Sequence, residues 1–303
     1  MSTTPASSSP DAVSTKSNDN GRALESLITT ELEKVEFIEL TQRTLDAQRR
    51  DDPKVKVLDL NLSKSFQKSA KLITDWIISE IGTNHGLAVE VDRSSDNDAG
   101  VADINITYRD KLLPLSVKHN HDALSHARPY SLFKSSGFGK STSDTAHRDA
   151  LAKACNSFRL KAGSAKLFSE VANLLPELYV DVCQACTKSI ETFPDQSLLA
   201  EKLFSFLVGP GCKKVIVRTK STHTLKRIEI FDYSALKKPT KVTPTFEKRT
   251  QSASLVLVFD NGWEIDLRVH SASSLISVNG QLSLKFDVQR KAGILPDPIV
   301  LFG

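Results

Sequence analysis

The feature that most constrains the fold is a change in the spacing of apolar residues. Over residues 63–81 apolar side chains recur every three or four positions, and Gly82 then provides a helix stop. Apolar and polar residues next alternate over 87–92, and 101–108 and 112–119 are two further strand candidates. The short connection between the last two runs predicts a β-hairpin, so the chain should pack a helix against a sheet.

The remaining pattern predicts helices first and strands later. Helical spacing occurs over residues 21–50 and over most of 143–208. Residues 49–54, which include Pro53, predict a break, and 55–60 predict a strand or an extended lead-in. Later strands are predicted at 215–217, 227–231, 255–259, 263–270 and 282–288. This order favours the α+β (α/β) class, with a mixed sheet flanked by helices and an antiparallel C-terminal β portion.

The composition predicts a folded chain with one short tail. Hydrophobic residues make up 40% of the 303 residues, which is enough for a sizeable core. Residues 1–20 are rich in Ser, Thr, Pro, Asp and Asn, so we expect a disordered tail followed by a single domain over 21–303. No membrane span and no secretory signal are recognisable. Four cysteines are too few for a disulfide framework, so a cytoplasmic protein is expected.

Charge is unevenly distributed along the chain. The formal net charge is +4, but residues 201–250 carry twelve Lys and Arg against four Asp and Glu, a local net charge of +8. Such a concentration is typical of a surface that binds a polyanion. The alternative interpretation is a solvated lysine-rich face without a partner. An RNA-binding module is disfavoured, because few aromatic residues lie among these lysines.

A carboxylate and a lysine are placed to meet across the predicted hairpin. Asp103 lies early on the first strand and Lys118 late on the second, and these two ends face each other in an antiparallel pair. Many nucleases hold Mg²⁺ with such a carboxylate, while the lysine orients the attacking water or stabilises charge on the phosphate. The alternative is an ordinary cross-strand ion pair on an exposed face.

Three stretches carry a resemblance to a known family. They are Lys-His-Asn-His with the residues after it (118–129), Trp-Glu-Ile-Asp-Leu-Arg-Val-His-Ser-Ala-Ser (263–273) and Ser-Leu-Lys-Phe-Asp-Val-Gln (283–289). Together with the order of helix, strand, hairpin and helix, they resemble the HaeIII-type restriction endonucleases of the PD-(D/E)XK nuclease superfamily. The resemblance covers about residues 60–296, and the Lys-His-Asn-His stretch is its most specific part.

The resemblance implies a type II restriction endonuclease that uses Mg²⁺ to cut double-stranded DNA at a short, GGCC-like site and leaves 5′-phosphate ends. It implies that Asp103 binds the metal and that Lys118 is the lysine of the superfamily motif. Residues 60–135 would then form the catalytic core, 143–208 a helical region and 209–303 a β-rich region that grips DNA. A palindromic site fits either a homodimer or two successive nicks. A non-catalytic DNA-binding protein on a decayed nuclease core is the alternative.

One position departs from the superfamily pattern. Ser116, two residues before the lysine, stands where Asp or Glu is usual, and we keep it among the catalytic candidates. Because a hydroxyl is a weak Mg²⁺ ligand, we expect the second carboxylate to come from elsewhere in the chain. Glu90 and Asp92 are preferred to Glu80, because their strand should neighbour the hairpin. The backbone carbonyl of Val117 can serve as a metal ligand whichever side chain stands there.

The residues after the lysine are candidates for contact with DNA. We expect His119, Asn120, His121 and Arg128 to lie against phosphates or base edges beside the cut, and arginine suits guanine in particular. The alternative for Arg128 is a salt bridge. An HNH nuclease distributes its histidines over a hairpin and a helix, so it does not fit two histidines this close on one strand.

A predicted C-terminal strand carries further candidates for contact with DNA. Arg268 and His270 alternate with apolar residues and share one face of a strand, and with Lys285 they predict a DNA-facing patch. The alternative is the polar outer face of a half-buried sheet.

Cys183 and Cys186 form a CxxC on a predicted helix without a second pair nearby. This spacing favours buried thiols over a zinc site but does not decide between them.

Overall fold

The computed structural model describes residues 10–82, 88–94, 101–121, 124–125, 127–278 and 280–303, without the side chains of 10–17. The α-helices are α1 (Pro10–Glu33), α2 (Gln42–Lys56), α3 (Leu60–Ile81), α4 (Thr142–Ala162), α5 (Leu175–Glu191) and α6 (Gln196–Val208). The strands are β1 (Ile38–Leu40), β2 (Val89–Arg93), β3 (Ile104–Tyr108), β4 (Lys111–His119), β5 (Lys213–Thr219), β6 (Leu225–Asp232), β7 (Val242–Lys248), β8 (Ala253–Phe259), β9 (Glu264–Ser271), β10 (Leu284–Ala292) and β11 (Ile299–Phe302). Within this part of the chain, no helix is long and apolar enough to cross a membrane.

The strands form two sheets, which confirms the mixed α+β class. The first sheet has the order β1-β2-β3-β4-β5-β6-β11, in which β1–β2 and β4–β5 are parallel pairs and the other neighbours are antiparallel. The second sheet is antiparallel, with the order β10-β9-β8-β7. The second sheet confirms the predicted antiparallel C-terminal β portion, and the strands of 209–303 are divided between the two sheets. Of these, strands β5, β6 and β11 complete the mixed sheet, because the α4–α6 crossover allows β5 to lie parallel to β4.

The N-terminal segment is more helical than its composition predicts. Helix α1 begins at Pro10, so the structure differs from the expected tail over residues 10–20, whereas 1–9 lie outside the described residues. A helix nucleated by a packed stripe can extend toward its N-terminus at one hydrogen bond per residue. Asp19 Oδ1 also lies 3.3 Å from Lys54 Nζ of α2, and this ion pair holds the early turns.

The structure of residues 38–60 differs from the sequence-based expectation in two places. A strand, β1, interrupts the helix predicted over 21–50 and pairs in parallel with β2. Helix α2 then continues through Pro53 to Lys56, where a break at 49–54 and an extended lead-in at 55–60 were expected. The buried residues Thr44 and Ala47 pack α2 into the fold, and this tertiary packing offsets the hydrogen bond that proline cannot make.

Helix α3 and the hairpin after it follow the predicted pattern. The Asp59 carboxylate caps α3 by accepting hydrogen bonds from the next turn, and Gly82, with φ of 81°, ends the helix. In the hairpin, Arg109 and Asp110 have φ of 45° and 60°, as a two-residue type I′ turn requires. This turn sets a register in which Ile104 of β3 pairs with Leu115 of β4.

One face of the mixed sheet is buried throughout and the other only in part. The first packs against α1 and α3, and on the other β5 and β6 pack against the core of α4–α6 and the second sheet. On that second face Glu90 of β2 and Thr107 of β3 are exposed. Alternation along β5 shows the division, since Val215 and Val217 belong to the first core and Ile216 to the second. Each fully buried Val, Leu, Ile or Phe side chain contributes about 1.5–3 kcal/mol relative to an exposed one. The first core therefore holds the β3–β4 hairpin from one face.

Candidate active site

Asp103 lies immediately before β3, at the point where β2, β3 and β4 meet. Its backbone N–H donates to the Leu115 carbonyl at 2.7 Å, and its own carbonyl accepts a hydrogen bond from the Ser94 N–H at 3.1 Å. The backbone of Asp103 is thus held from both neighbouring strands, so the direction of its side chain is set by the sheet.

Three groups of β4 converge on one oxygen of this carboxylate. Asp103 Oδ2 accepts a 2.7 Å hydrogen bond from the Val117 N–H and a 3.1 Å bond from Lys118 Nζ, and Ser116 Oγ lies 3.4 Å away. The predicted meeting of Asp103 and Lys118 is therefore confirmed, while their catalytic roles stay a prediction. No described residue donates a hydrogen bond to Oδ1 of Asp103.

The preferred second carboxylates do not join Asp103. Glu90 is exposed and pairs with Thr107, three residues along β3 from the Ile104 end where Asp103 lies. Asp92 accepts a 2.7 Å hydrogen bond from Thr41 and is bridged by Arg43 at the start of α2. This geometry does not support a metal-binding role for either residue. A carboxylate that an arginine already bridges is poorly available to a metal ion.

Glu80, the third candidate, is also engaged elsewhere. Its Oε2 atom lies 3.8 Å from Lys213 Nζ, and that lysine in turn contacts Asp232 at 2.7 Å. Lys213 begins β5, so Glu80 belongs to an ion-pair group at the base of that strand.

Glu25 of α1 is a carboxylate near Asp103 that the sequence analysis missed. Its Oε2 atom accepts a 2.6 Å hydrogen bond from Arg93 at the end of β2. Burial, and then the negative charge of Asp103, raise the pKa of Glu25 to about 7 against the opposing effects of Arg93 and Lys118. The signal in the sequence was its position beside the buried stripe of α1, one residue after Leu24 and three before Ile28.

The residues after Lys118 are placed differently from one another. His119 Nε2 lies 3.0 Å from Thr219 Oγ1, and its ring packs edge-on against Phe66 at 4.8 Å. Burial, followed by the charges of nearby histidines, lowers the pKa of His119 to about 4. Asn120, with φ of 63°, accepts a 2.7 Å hydrogen bond from the Thr219 N–H and donates one to its hydroxyl. These two side chains therefore join β4 to β5. His119 is half-buried, whereas Asn120 and His121 are exposed.

The C-terminal candidates share one face, as predicted. In the β9–β10 register Lys285 pairs with His270 and Asp287 pairs with Arg268. Asp287 lies among the basic groups, 2.6 Å from Arg268 Nη2 and 3.2 Å from His270 Nε2. The patch is thus partly neutralised by its own carboxylate.

Arg128 lies next to the same sheet. The carbonyl of Ala127 accepts a 2.9 Å hydrogen bond from the Phe286 N–H of β10, which brings the exposed Arg128 to this edge. Arg128 also lines a cavity of about 490 Å³ together with Tyr130 and Arg159. The structure shows no salt bridge of Arg128 to any described residue, in contrast to the alternative interpretation.

The cysteines are buried thiols, and Asp103 is the candidate metal ligand. All four cysteines are free and buried, and burial raises the pKa of Cys183 to about 12 and that of Cys186 above its usual value. Raised thiol pKa values disfavour the thiolate that zinc requires. Among the described residues, no group of three His, Cys, Asp or Glu side chains is arranged to hold a metal. Mg²⁺ needs only one or two carboxylates beside water and phosphate oxygens, so Asp103, whose Oδ1 binds no described donor, fits this ion.

Comparison with known families assigns the class of the protein. The model of a restriction endonuclease family matches residues 23–294, a range that includes the second half of α1, strands β1 to β10 and the Asp103–Lys118 pair. The protein is therefore a type II site-specific deoxyribonuclease. The matched family is the HaeIII restriction endonuclease family, and the chain belongs to it. Comparisons with curated proteins and with solved structures found no match.

Proposed function

We propose that this restriction endonuclease hydrolyses phosphodiester bonds of double-stranded DNA at a short specific site, with Mg²⁺ bound at Asp103 and with Lys118 beside the attacking water. The observation that carries the proposal is the convergence of Val117 N and Lys118 Nζ on Asp103 Oδ2. This convergence leaves Oδ1 of Asp103 to face a metal ion. A GGCC-like target, 5′-phosphate ends and a cytoplasmic location belong to the same proposal.

In the proposed hydrolysis, the metal ion and the residues around Asp103 have separate roles. Mg²⁺, when bound, lowers the pKa of a coordinated water and neutralises charge that develops on the phosphate. Asp103 and the carbonyl of Val117 supply the oxygen ligands, and both are fixed by strand backbone. Lys118 keeps two of its three N–H donors for the water and a phosphate oxygen, while the third binds Asp103. Ser116 contributes at most a long contact to the same carboxylate.

The duplex is expected to lie against the β9–β10 face. Arg128 and the patch of Arg268, His270 and Lys285 are exposed or half-exposed on this side of the fold. His121, which follows β4, is a further exposed candidate for contact with DNA. The 201–250 segment is spread over β5, β6 and β7, and five of its basic residues form ion pairs with carboxylates of the chain. These five are Lys213, Arg218, Arg227, Lys238 and Arg249. We assign the phosphate contact to the β9–β10 face, because Arg128 lies beside it and Lys285 belongs to it.

Cleavage of plasmid DNA tests the proposal. We expect discrete fragments with Mg²⁺, none with EDTA, and none from Asp103→Ala or Lys118→Ala at matched protein concentration. End mapping of the fragments gives the recognition site and shows whether 5′-phosphates are left. Fragments that survive in both variants would remove the proposed centre. DNA that is retarded in gels but never cut would favour the non-catalytic DNA-binding alternative.

A further inference from the structure

A cavity lies beside the face that we assign to phosphate contact, and the proposed hydrolysis does not use it. Its volume is about 490 Å³, which falls in the range of small-molecule binding sites. Its walls are the segment 128–131, helix α4 and the segment 280–284, where β10 begins. The inner part is apolar and buried, and it consists of Pro129, Leu151, Cys155, Val182, Leu282 and Leu284. The cavity therefore suits a small ligand with an apolar body.

The mouth of this cavity is polar. Arg128, Asn156 and Gln281 line it and are exposed, and the half-buried Tyr130 adds an aromatic ring. Asn156 Oδ1 accepts a 3.0 Å hydrogen bond from Arg159 Nη1. The NH₂ group of Asn156 and the amide of Gln281 make no hydrogen bond within the described residues. Side-chain amides pair with base edges and aromatic rings stack on bases, so the mouth carries groups that recognise a nucleobase.

One arginine fixes the wall that the connection between β9 and β10 forms. Arg159 of α4 donates through Nε to the Ser277 carbonyl at 2.9 Å and through Nη2 to the Gly280 carbonyl at 2.6 Å. Because the guanidinium is planar, these two hydrogen bonds hold the connection against α4 in one orientation. The wall is therefore preformed, and a ligand does not have to order it.

The same connection exposes an apolar side chain. Val278 follows Ser277, whose carbonyl Arg159 binds, and it is 82% exposed. A single exposed apolar residue is ordinary on a protein surface. Next to DNA, however, an apolar side chain can insert between base steps and occupy the space that a displaced base leaves. Val278 is placed for this role, because the residue before it is fixed.

The proposed DNA contacts adjoin the cavity on two sides. Arg128 lines it directly, at the segment whose Ala127 carbonyl is bound by Phe286 of β10. Leu284 lines it from the strand, and the next residue, Lys285, belongs to the patch that we assign to phosphate. A duplex held by Arg128 and Lys285 therefore lies at the rim of the cavity. This position favours a part of that duplex as the occupant over a free small molecule.

We propose that this cavity receives one nucleobase of the recognition site, rotated out of the duplex. The inference rests on the proposed function, because it needs DNA on the β9–β10 face. No covalent bond changes in this step. The base exchanges its pairing for the amides of Asn156 and Gln281, and its stacking for Tyr130 and the apolar interior. Val278 fills the gap that the base leaves in the stack.

Fluorescence of a labelled duplex tests the inference without cleavage. The duplex carries GGCC, or the site found by end mapping where the two differ. Pyrrolocytosine replaces one cytosine, or a fluorescent pteridine replaces one guanine, at a time, and both emit weakly in a stacked duplex and strongly outside it. With the full chain bound in Ca²⁺, we expect emission to rise several-fold at one position and much less at the others. No rise at any position would overturn the inference.

Filling the cavity should remove the rise in emission. Ala152 of α4 lines the cavity and is half-buried, so Ala152→Phe places a ring in the space for the base. We expect the ratio of specific to non-specific affinity to fall by roughly 10- to 100-fold. Non-specific affinity should not change, because it depends on phosphate contacts. The matched control is Ala146→Phe, at an exposed position of the same helix outside the cavity, and it should behave as the parent.

Exposed residues of the mouth keep the inference testable if Ala152→Phe does not fold. The double variant of Asn156→Ala and Gln281→Ala removes the amides, and Val278→Ser removes the apolar side chain. Each should reduce the rise in emission. Val57→Ser, at a valine that is 81% exposed after α2, should not. A full rise in both the amide variant and Val278→Ser would overturn the inference.

Failure of the proposed function gives a different result. Cleavage that survives Asp103→Ala removes the proposed centre but leaves the emission test intact, because binding in Ca²⁺ is measured without cleavage. Cleavage that depends on Asp103, with no rise in emission at any position, overturns the inference alone. In that case, binding of free deoxycytidine or deoxyguanosine in equilibrium dialysis would assign the cavity to a small molecule instead.

Discussion

The Nζ atom of Lys118 lies 3.1 Å from Oδ2 of Asp103, across a hairpin whose turn is only two residues long. The Val117 N–H binds the same oxygen at 2.7 Å, so backbone and side chain together saturate one side of the carboxylate. No described residue donates a hydrogen bond to the other oxygen. The backbone hydrogen bond fixes the direction of the carboxylate, which the ion pair by itself would not do.

Asp103→Asn should abolish cleavage and leave DNA binding intact. The amide oxygen can still accept the Val117 hydrogen bond, but the negative charge that holds a divalent cation is lost. We expect the cleavage rate to fall by at least about 10³-fold, equivalent to about 4 kcal/mol of transition-state stabilisation. Single-turnover cleavage and gel retardation measure the two effects separately.

The control for this variant is Asp110→Asn in the hairpin turn. Asp110 has φ of 60°, a conformation that asparagine tolerates, and it is exposed. Its cleavage rate should equal that of the parent. A rate for Asp103→Asn within tenfold of the control would contradict the assignment of Asp103 as a metal ligand.

Ser116→Ala should have little effect, although Ser116 occupies the motif position. Its hydroxyl lies 3.4 Å from Asp103 Oδ2, which is long for an O–H···O hydrogen bond, and the side chain is buried. We expect cleavage within about threefold of the parent, because a long contact contributes less than about 1 kcal/mol. A loss of 100-fold or more would instead place the Ser116 hydroxyl in the catalytic machinery.

Lys285→Ala should weaken DNA binding irrespective of sequence. A lysine that contacts phosphate releases about one counterion, so the slope of log affinity against log salt concentration should fall by about 1. Asp287→Asn should act in the opposite direction, because it removes the carboxylate that pairs with Arg268 and His270. Fluorescence anisotropy with labelled duplexes at several salt concentrations measures both.

The matched control for the patch is Lys161→Ala. Lys161 is an exposed lysine near the end of α4 that pairs with Glu177. Its salt slope should equal that of the parent. If all three variants gave the same slope, the β9–β10 face would not be the DNA surface.

His147 should make stability sensitive to acid. Burial lowers its pKa below the ordinary 6.5, and its Nε2 donates a 2.8 Å hydrogen bond to the Pro129 carbonyl. Below pH 6.5 the unfolded chain takes up a proton at His147 that the folded chain does not, so its contribution to stability is present above pH 6.5 and lost as the pH falls. In His147→Gln, unfolding free energies from urea titrations should fall less steeply between pH 6.5 and 5.5, by up to about 1.4 kcal/mol per pH unit. Equal slopes in the two proteins would contradict this prediction.

Local pattern was sufficient where neighbouring residues decide the structure. Helix α3, its stop at Gly82 and the β3–β4 hairpin depend on spacing, caps and a short turn, and all were predicted. Strands β1, β7 and β11 were not predicted. All three are edge strands, and an edge strand is buried less evenly than a central one, so its alternation is weak.

The sequence by itself determined that Asp103 and Lys118 meet, because a two-residue turn admits only one register for the strands that carry them. Only the tertiary structure decided which carboxylates do not join them. Glu90 and Asp92 are close to Asp103 in sequence, but Glu90 pairs with Thr107 farther along β3 and Asp92 is bridged by Arg43 of α2. Periodicity reports which face of an element is buried, but it does not report which two buried faces pack together.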